Sequence, residues 1–209
     1  MTYFKLKEKL KNYPIFRLED IFKWFPSENR RTVIFQLSGW TKKRYLERLK
    51  RGIYKLPDYQ VKDTFILADF FIPSYISGES ALNYYGIIPD IPFAVTSVTS
   101  LKTSTIKNKE YGLFIYQRIK PSLFFGYRIV KSDSLYSYKI ASPEKAIFDF
   151  IYLRSFKKDF NPENYLSEAR FNFEKDFNWK DLKKWQKLIP ENKKKFHLAL
   201  ENLFKKNKA

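Results

Sequence analysis

The chain has 209 residues, of which 44% are hydrophobic and 19% aromatic, a composition that supports one or two folded domains and argues against wholesale disorder. It contains no cysteine, which excludes a disulfide framework and a thiolate zinc site. Its net charge of +18 indicates a polyanionic partner, usually nucleic acid or an anionic membrane.

The distribution of apolar residues along the sequence suggests neither a secretion signal nor a membrane span. Lysines interrupt every apolar run in the first twelve residues, so no secretory signal pattern is recognisable there. The longest mostly apolar stretch, residues 65–76, contains Asp69 and is too short to span a bilayer. We therefore expect a cytoplasmic protein without a membrane partner.

Arginine placement is more informative than total charge, because an AT-rich genome inflates lysine but not arginine. Residues 1–60 carry 15 lysines and arginines against 6 acids, a net charge of +9, whereas residues 61–155 carry only +3. Five of the ten arginines fall in one short stretch of the first segment: Arg30, Arg31, Arg44, Arg48 and Arg51. A guanidinium pairs with phosphate or guanine in a fixed fork, so this cluster favours contact with DNA.

The first forty residues predict three helices. A short helix over residues 3–12 ends before Pro14, and an apolar stripe predicts a second helix over residues 18–25. Ser27 is the predicted N-cap of a third helix, which Gly39 and the following residues 40–43 are expected to close. The predicted buried stripe of the third helix comprises Val33, Ile34, Leu37 and Trp40.

A basic hairpin is predicted to follow. Residues 45–49 and 53–57 alternate with period two around a turn containing Gly52, which can adopt positive φ. Three helices and a basic hairpin are the element order of a winged helix-turn-helix, although a small helical domain with a solvated basic face is the alternative. The predicted DNA-binding residues are Ser27, Arg30, Arg31, Thr32, Gln36, Lys42, Lys43, Arg44, Arg48, Lys50, Arg51 and Tyr54.

The remainder predicts a mixed α+β domain over residues 61–155 and a basic helical extension over residues 156–209 that packs on it. Helices are predicted over residues 65–71, 77–85 and from Ser142, and strands over residues 93–98, 113–118, 125–130 and 138–141. In the extension, helices are predicted to start at Asn161, Asn178 and about Glu191. The fold class is therefore α+β, with an N-terminal winged helix-turn-helix over residues 1–60.

No motif in the sequence argues positively for an enzyme. The single histidine, His197, has no neighbouring ligand pattern. Ser142 and Lys145 match the Ser-x-x-Lys spacing of penicillin-binding enzymes, but a helix cap explains the serine and the partner motifs are missing. We assign no catalytic residue, metal site or cofactor, and a nucleic-acid-processing enzyme is the least favoured alternative.

Several stretches resemble the AbiEi-family antitoxins. They are residues 73–89, residues 96–99 with Lys102 and Thr103, residues 123–127, and residues 140–146. The predicted winged helix, ending in Lys50-Arg51-Gly52-Ile53-Tyr54, is also similar to that family. Together these stretches occur in order over residues 13–155.

The resemblance implies a DNA-binding autorepressor that acts as the antitoxin of a type IV toxin–antitoxin, or abortive-infection, system in phage defence. It implies two partners: double-stranded operator DNA, expected to carry inverted repeats, and a nucleotidyltransferase-type toxin that is opposed without a stable complex. Antitoxicity is then expected in the middle domain, at Ser97, Thr99, Lys102, Thr103, Glu144 and Lys145. The alternative is a stand-alone winged-helix regulator without a toxin partner.

Overall fold

The computed structural model describes residues 1–132, 135–162, 170–174 and 177–207, which form a mixed α+β fold with two separate sheets. None of the helices in these ranges combines the length and apolar character that a membrane span requires.

The first sixty residues alternate helices with a small sheet. The elements are α1 (Tyr3–Leu10), β1 (Ile15–Arg17), α2 (Leu18–Trp24), α3 (Arg30–Lys42), β2 (Glu47–Lys50) and β3 (Ile53–Lys55). The three strands are antiparallel in the order β1-β3-β2. The predicted helices and hairpin are confirmed, whereas β1 was not predicted because three residues give too short a pattern.

A separate apolar core holds these elements together. Its buried members come from the three helices, from the sheet and from the residue before β2: Leu6, Leu10, Phe16, Ile21, Val33, Leu37, Leu46 and Tyr54. The predicted buried stripe of α3 is correct for Val33 and Leu37 but wrong for Ile34, which is 46% exposed. Helix α3 runs through Gly39 to Lys42 and has its C-cap at Lys43, so it ends within the predicted closing segment, residues 39–43.

The next ninety residues form a six-stranded sheet covered by helices. The elements are α4 (Phe65–Phe71), β4 (Tyr75–Ile76), α5 (Gly78–Tyr84), β5 (Val95–Thr99), β6 (Ser104–Asn108), β7 (Gly112–Arg118), β8 (Tyr127–Lys131), β9 (Ser137–Ala141) and α6 (Pro143–Arg154). The strand order is β6-β7-β5-β4-β9-β8, with parallel pairing of β4 to β9 and of β5 to β7. Helix α4 packs on β4, β5 and β9, and α5 packs on β5 and on α6.

The sequence predicted the long elements of this sheet but not two of its strands. Strand β4 has only two residues, yet both are buried because it lies between β5 and β9. Strand β6 is polar and lies at the sheet edge, so it lacks the apolar alternation of a strand with one buried face. The strand predicted over residues 93–98 begins only at Val95, since Phe93 is 93% exposed.

The C-terminal helices pack on α6. They are α7 (Trp179–Gln186) and α8 (Lys194–Lys206), and α6 can contact both because residues 144–152 are buried all around it. Asn178 caps α7 as predicted, accepting from Lys180 N at 3.1 Å. The helix predicted from Asn161 falls largely on residues 163–169, which lie outside the described residues.

The first sixty residues are tied to the larger sheet by polar contacts with backbone carbonyls. The Arg17 guanidinium donates to Asp69 O at 2.7 Å, and Lys50 Nζ donates to Phe71 O at 3.2 Å. Both carbonyls belong to the last turn of α4, where cations offset the negative end of a helix dipole. The Tyr136 hydroxyl also donates to Ile15 O at 2.9 Å and accepts from Ile15 N at 2.6 Å.

Candidate nucleic-acid interface

Helix α3 begins at two arginines and is capped by Asn29. The Asn29 side-chain oxygen accepts hydrogen bonds from Arg31 N at 2.9 Å and from Thr32 N at 3.3 Å. The prediction of Ser27 as the cap is wrong, because the residue two positions later is the one whose oxygen reaches the first-turn amides.

One side of α3 is exposed along its whole length. We call the exposed residues Arg31, Phe35, Ser38 and Lys42 the α3 ridge. Their spacing of i, i+4, i+7 and i+11 follows the helical repeat, so they form a single stripe. The stripe faces away from Val33 and Leu37, which are fully buried in the small core.

A groove of about 730 Å³ separates α3 from the β2–β3 hairpin. Arg30, Ile34, Ser38, Thr41 and Lys42 line it from α3, and Arg48, Arg51, Gly52 and Tyr54 line it from the hairpin, with Leu18 and Glu19 between them. We call this feature the helix–hairpin groove. Gly52 has φ +80° at the hairpin turn, and its carbonyl accepts from Leu18 N at 2.8 Å, which fixes the hairpin beside α2.

The charge of the helix–hairpin groove is strongly positive. Four cations line it, and Glu19 is the single acid among the described residues of its lining. The nearby acids are engaged elsewhere: Glu28 pairs with the N-terminal ammonium group, and Glu47 pairs with Lys55 at 2.6 Å. The cations of the groove therefore keep a net positive potential, which favours a polyanion.

Three of the predicted DNA-binding residues face inward. Lys50 is half-buried and donates to Phe71 O, so it is not at the exposed hairpin tip. Burial lowers the pKa of Lys50, and the charge of Lys102 lowers it further. Tyr54 is 8% exposed because its ring stacks on Phe16, although its edge reaches the groove. Gln36 is half-buried, with Nε2 donating to Met1 O at 2.8 Å.

The other predicted cations are exposed. They are Arg30, Arg31, Lys42, Lys43, Arg44, Arg48 and Arg51. Thr32 is also exposed on the first turn of α3. Arg44 follows α3 with φ +59°, a left-handed conformation that normally favours glycine or asparagine after a helix. An arginine at such a position has a backbone cost, which is consistent with use of its side chain.

The larger sheet adds cations that the sequence did not assign to this surface. A second groove, of about 760 Å³, lies between the hairpin and the β6–β7 turn. Its charged lining residues are the cations Arg44, Arg48, Lys107 and Lys109 and the acids Glu47 and Glu110. Lys107 and Lys109 are separated from the arginine cluster by more than fifty residues of sequence. Only the fold brings them together, because β6 and β7 pair at the edge of the larger sheet next to the hairpin.

The predicted antitoxicity residues separate into buried and exposed groups. Ser97 and Thr99 were expected to emerge from the sheet, but they belong to β5 and are 2% and 0% exposed. The Thr99 hydroxyl donates to Pro73 O at 2.8 Å, so it has a structural contact. Lys102 and Thr103 are exposed after the end of β5, as expected of a loop.

Glu144 connects the start of α6 to the C-terminal helices. Its Oε2 accepts from the Ser142 hydroxyl at 2.8 Å, and its Oε1 accepts from Asn178 N at 2.9 Å. Ser142 also caps α6 by accepting from Lys145 N at 3.2 Å. The serine and lysine of the Ser-x-x-Lys spacing are therefore joined by a helix-capping hydrogen bond. Glu144 holds the start of α7 through its contact with Asn178 N.

Lys145 is buried in a polar cluster beneath α6. Its ammonium group forms an ion pair with Asp149 and contacts the Tyr75 hydroxyl at 3.0 Å. The Asp149 carboxylate also accepts from Tyr75 at 2.8 Å and from Ser77 at 2.9 Å. A Cβ at Gly126, which has φ +73°, would lie 3.0 Å from the Lys145 side chain, so glycine is needed there.

Burial sets the electrostatics of this ion pair. It raises the pKa of Asp149 and lowers that of Lys145, and the contact between the two opposes both shifts. Burial and the Asp149 charge raise the pKa of Tyr75, which keeps its hydroxyl protonated and able to donate. The candidate Lys145 is thus inaccessible to a partner, and its role is internal.

Groups typical of catalysis are scarce in the described parts of the chain. Within them, no group of three or more histidine, cysteine or acidic side chains is placed to hold a metal ion. His197 lies in the first turn of α8, with Nε2 at 3.1 Å from Pro190 O and Nδ1 at 3.4 Å from Gln186 Nε2.

Comparison of the chain with protein-family models gives no match, and comparison with curated proteins gives none either. The functional interpretation accordingly depends on the residues and their geometry.

We predict that Lys145→Met reduces the free energy of unfolding by about 3–5 kcal/mol, because it leaves the Asp149 carboxylate buried without a cation. Adding Asp149→Asn should recover part of the loss, since a neutral amide oxygen can still accept from Tyr75 and Ser77. Urea denaturation of the two variants measures both effects.

Lys139→Met is the matched control. Lys139 pairs with Asp69 at 3.4 Å in a site that is about one-third exposed, so its loss should cost less than about 1 kcal/mol. Equal stabilities of the single and double Lys145 variants would contradict the role given to the ion pair.

Proposed function

We propose that residues 1–60 form a winged helix-turn-helix that binds double-stranded DNA, and that the protein is a transcriptional regulator that represses its own operon. The observation that carries this proposal is the helix–hairpin groove, with four cations and a single acid among its described lining residues. Duplex DNA carries a phosphate charge about every 1.7 Å along its axis, which such a groove would match.

The proposed docking follows from the shapes of the two partners. An α-helix about 10–12 Å across fits a major groove about 12 Å wide. With the α3 ridge in the groove, Arg30, Arg31 and Thr32 would approach base edges. The hairpin would then lie along the phosphate backbone, with Arg48 and Arg51 as contacts.

The second part of the proposal is that the protein is the antitoxin of a type IV toxin–antitoxin system. It rests on the resemblance of residues 73–89, residues 96–99 with Lys102 and Thr103, residues 123–127 and residues 140–146 to AbiEi-family antitoxins. Three of these stretches contribute Tyr75, Gly126 and Lys145 to the polar cluster beneath α6, so that part of the resemblance concerns the core of the domain. The stretch that ends at Lys102 and Thr103 reaches the surface, and these two residues are the exposed candidates for opposing a toxin.

We expect Arg48→Glu with Arg51→Glu to weaken binding to specific and random DNA alike. Loss of phosphate contacts should also reduce the slope of log affinity against log salt by about one for each contact. Gel shifts with the duplex upstream of the gene, at several salt concentrations, provide the measurement. Lys184→Glu with Lys187→Glu changes net charge equally on exposed residues outside the groove and should have little effect.

Arg44→Gly should separate stability from binding. We expect it to raise the free energy of unfolding by about 1 kcal/mol, because glycine adopts the left-handed conformation without strain. The same variant should bind the upstream duplex more weakly, because one cation is lost. Lys43→Gly removes the neighbouring charge at φ −79°, so it should weaken binding without the gain in stability.

Antitoxicity is tested by co-expression with the nucleotidyltransferase-type toxin expected beside the gene. We predict that Lys102→Ala with Thr103→Ala abolishes protection while DNA binding persists, because both side chains are exposed outside the helix–hairpin groove. Lys131→Ala, at an exposed lysine of β8, is the control and should still protect. Full protection by the double variant would remove Lys102 and Thr103 from the proposed surface.

A further inference from the structure

The middle of the α3 ridge carries a large apolar side chain. Phe35 is 81% exposed, and Ile34 beside it is 46% exposed toward the helix–hairpin groove. The residues before and after Phe35 on the ridge are polar or cationic: Arg31, Ser38 and Lys42. A largely exposed phenyl ring therefore lies between polar and cationic side chains in the middle of the α3 ridge.

Packing within the chain does not account for this position. Phe35 is two residues from both Val33 and Leu37, which places it on the opposite side of the helix from the small core. An isolated exposed apolar residue is common on protein surfaces. Phe35 differs because it occupies the centre of the surface that the proposed docking would bury.

We infer that Phe35 reads thymine, by packing its ring against thymine 5-methyl groups on the floor of the major groove. This inference rests on the proposed DNA-binding function and adds the chemistry of the sequence that is recognised. The thymine methyl is the apolar group that base pairs present in the major groove; the other edges are hydrogen-bond donors and acceptors. A phenyl ring against those polar edges would remove water from them without replacing its hydrogen bonds.

Charge favours DNA over a second copy of the chain as the occupant of this surface. Helix α3 contains no acidic residue, and Arg31 and Lys42 flank Phe35 on the same stripe. Two copies that met symmetrically through the ridge would bring these cations together, at a Coulombic cost. A duplex would instead surround the same ring with phosphates that pair with the cations.

The recognised sequence is therefore expected to carry thymine where the middle of α3 crosses it. Ile34 adds a second apolar contact on the hairpin side of the ridge, so adjacent thymines would each find an apolar partner. Arg31, one turn earlier, remains available for a guanine or a phosphate.

The experiment compares two versions of the duplex upstream of the gene, one synthesised with thymine and one with uracil, which lacks the 5-methyl group. The full-length protein should bind the uracil duplex more weakly, by about fourfold for each methyl group that is buried. Phe35→Ala should lose the part of this thymine preference that the phenyl ring supplies and keep at most the part that Ile34 supplies. Phe4→Ala, at another exposed phenylalanine on α1, should keep the full thymine preference.

Two results would overturn the inference in distinguishable ways. Equal wild-type affinity for the two duplexes, with specific binding retained, would reject thymine reading and leave the DNA-binding function standing. Absence of binding to either duplex would reject the function and the inference together. Sedimentation of the wild type and Phe35→Ala identifies the competing occupant: a dimer that dissociates in the variant, without a thymine preference in the wild type, would assign the ridge to self-association.

Discussion

The ion pair between Lys145 and Asp149 is the contact on which the larger half of the molecule depends. Both side chains are fully buried on α6, the helix that packs against α5, β9, α7 and α8. Hydroxyl groups from Tyr75 and Ser77 reach the same carboxylate, so the shortest strand of the sheet is joined to the central helix through it. Neither charge is tolerable there without the other.

The smaller half, residues 1–60, has the opposite electrostatic requirement: its cations must face solvent instead of being paired in the interior. Glu28 pairs with the N-terminal ammonium group and Glu47 pairs with Lys55 within the hairpin, and the cations along α3 and on the exposed side of the hairpin face water. Some cations have a structural role instead: Arg17 and Lys50 donate hydrogen bonds to backbone carbonyls in the last turn of α4. The same residue type thus serves both cohesion and surface charge, and sequence position alone does not distinguish the two uses.

Local patterns predicted the elements whose determinants are adjacent in sequence. Helix α4 was predicted with its observed bounds, and Ser142 was identified as the cap of α6 because capping involves neighbouring residues. Strand β4 could not be found in this way, since its two residues become a strand only between partners from distant parts of the chain. The antitoxicity candidate Thr99 was misplaced because β5 extends one residue past the predicted strand end, and Ser97, inside the predicted strand, is buried by packing that its polar side chain does not indicate.

The candidate interface shows the same division. The arginine cluster was visible in the sequence, whereas the inward orientation of Lys50 and Tyr54 depends on contacts with Phe71 and Phe16. Lys107 and Lys109 entered the surface only through strand pairing at the sheet edge. The sequence therefore predicted that this surface is positively charged, but it predicted less well which residues form it.

Tyr136 has a consequence for how two copies of the chain could meet. Strand β1 is the outer strand of the small sheet, and an outer strand usually offers its amide and carbonyl groups to a strand from another molecule. At Ile15 both groups are already bonded to the Tyr136 hydroxyl. Continuous intermolecular sheet extension is blocked at the β1 edge, so two copies of the chain would have to meet through another surface.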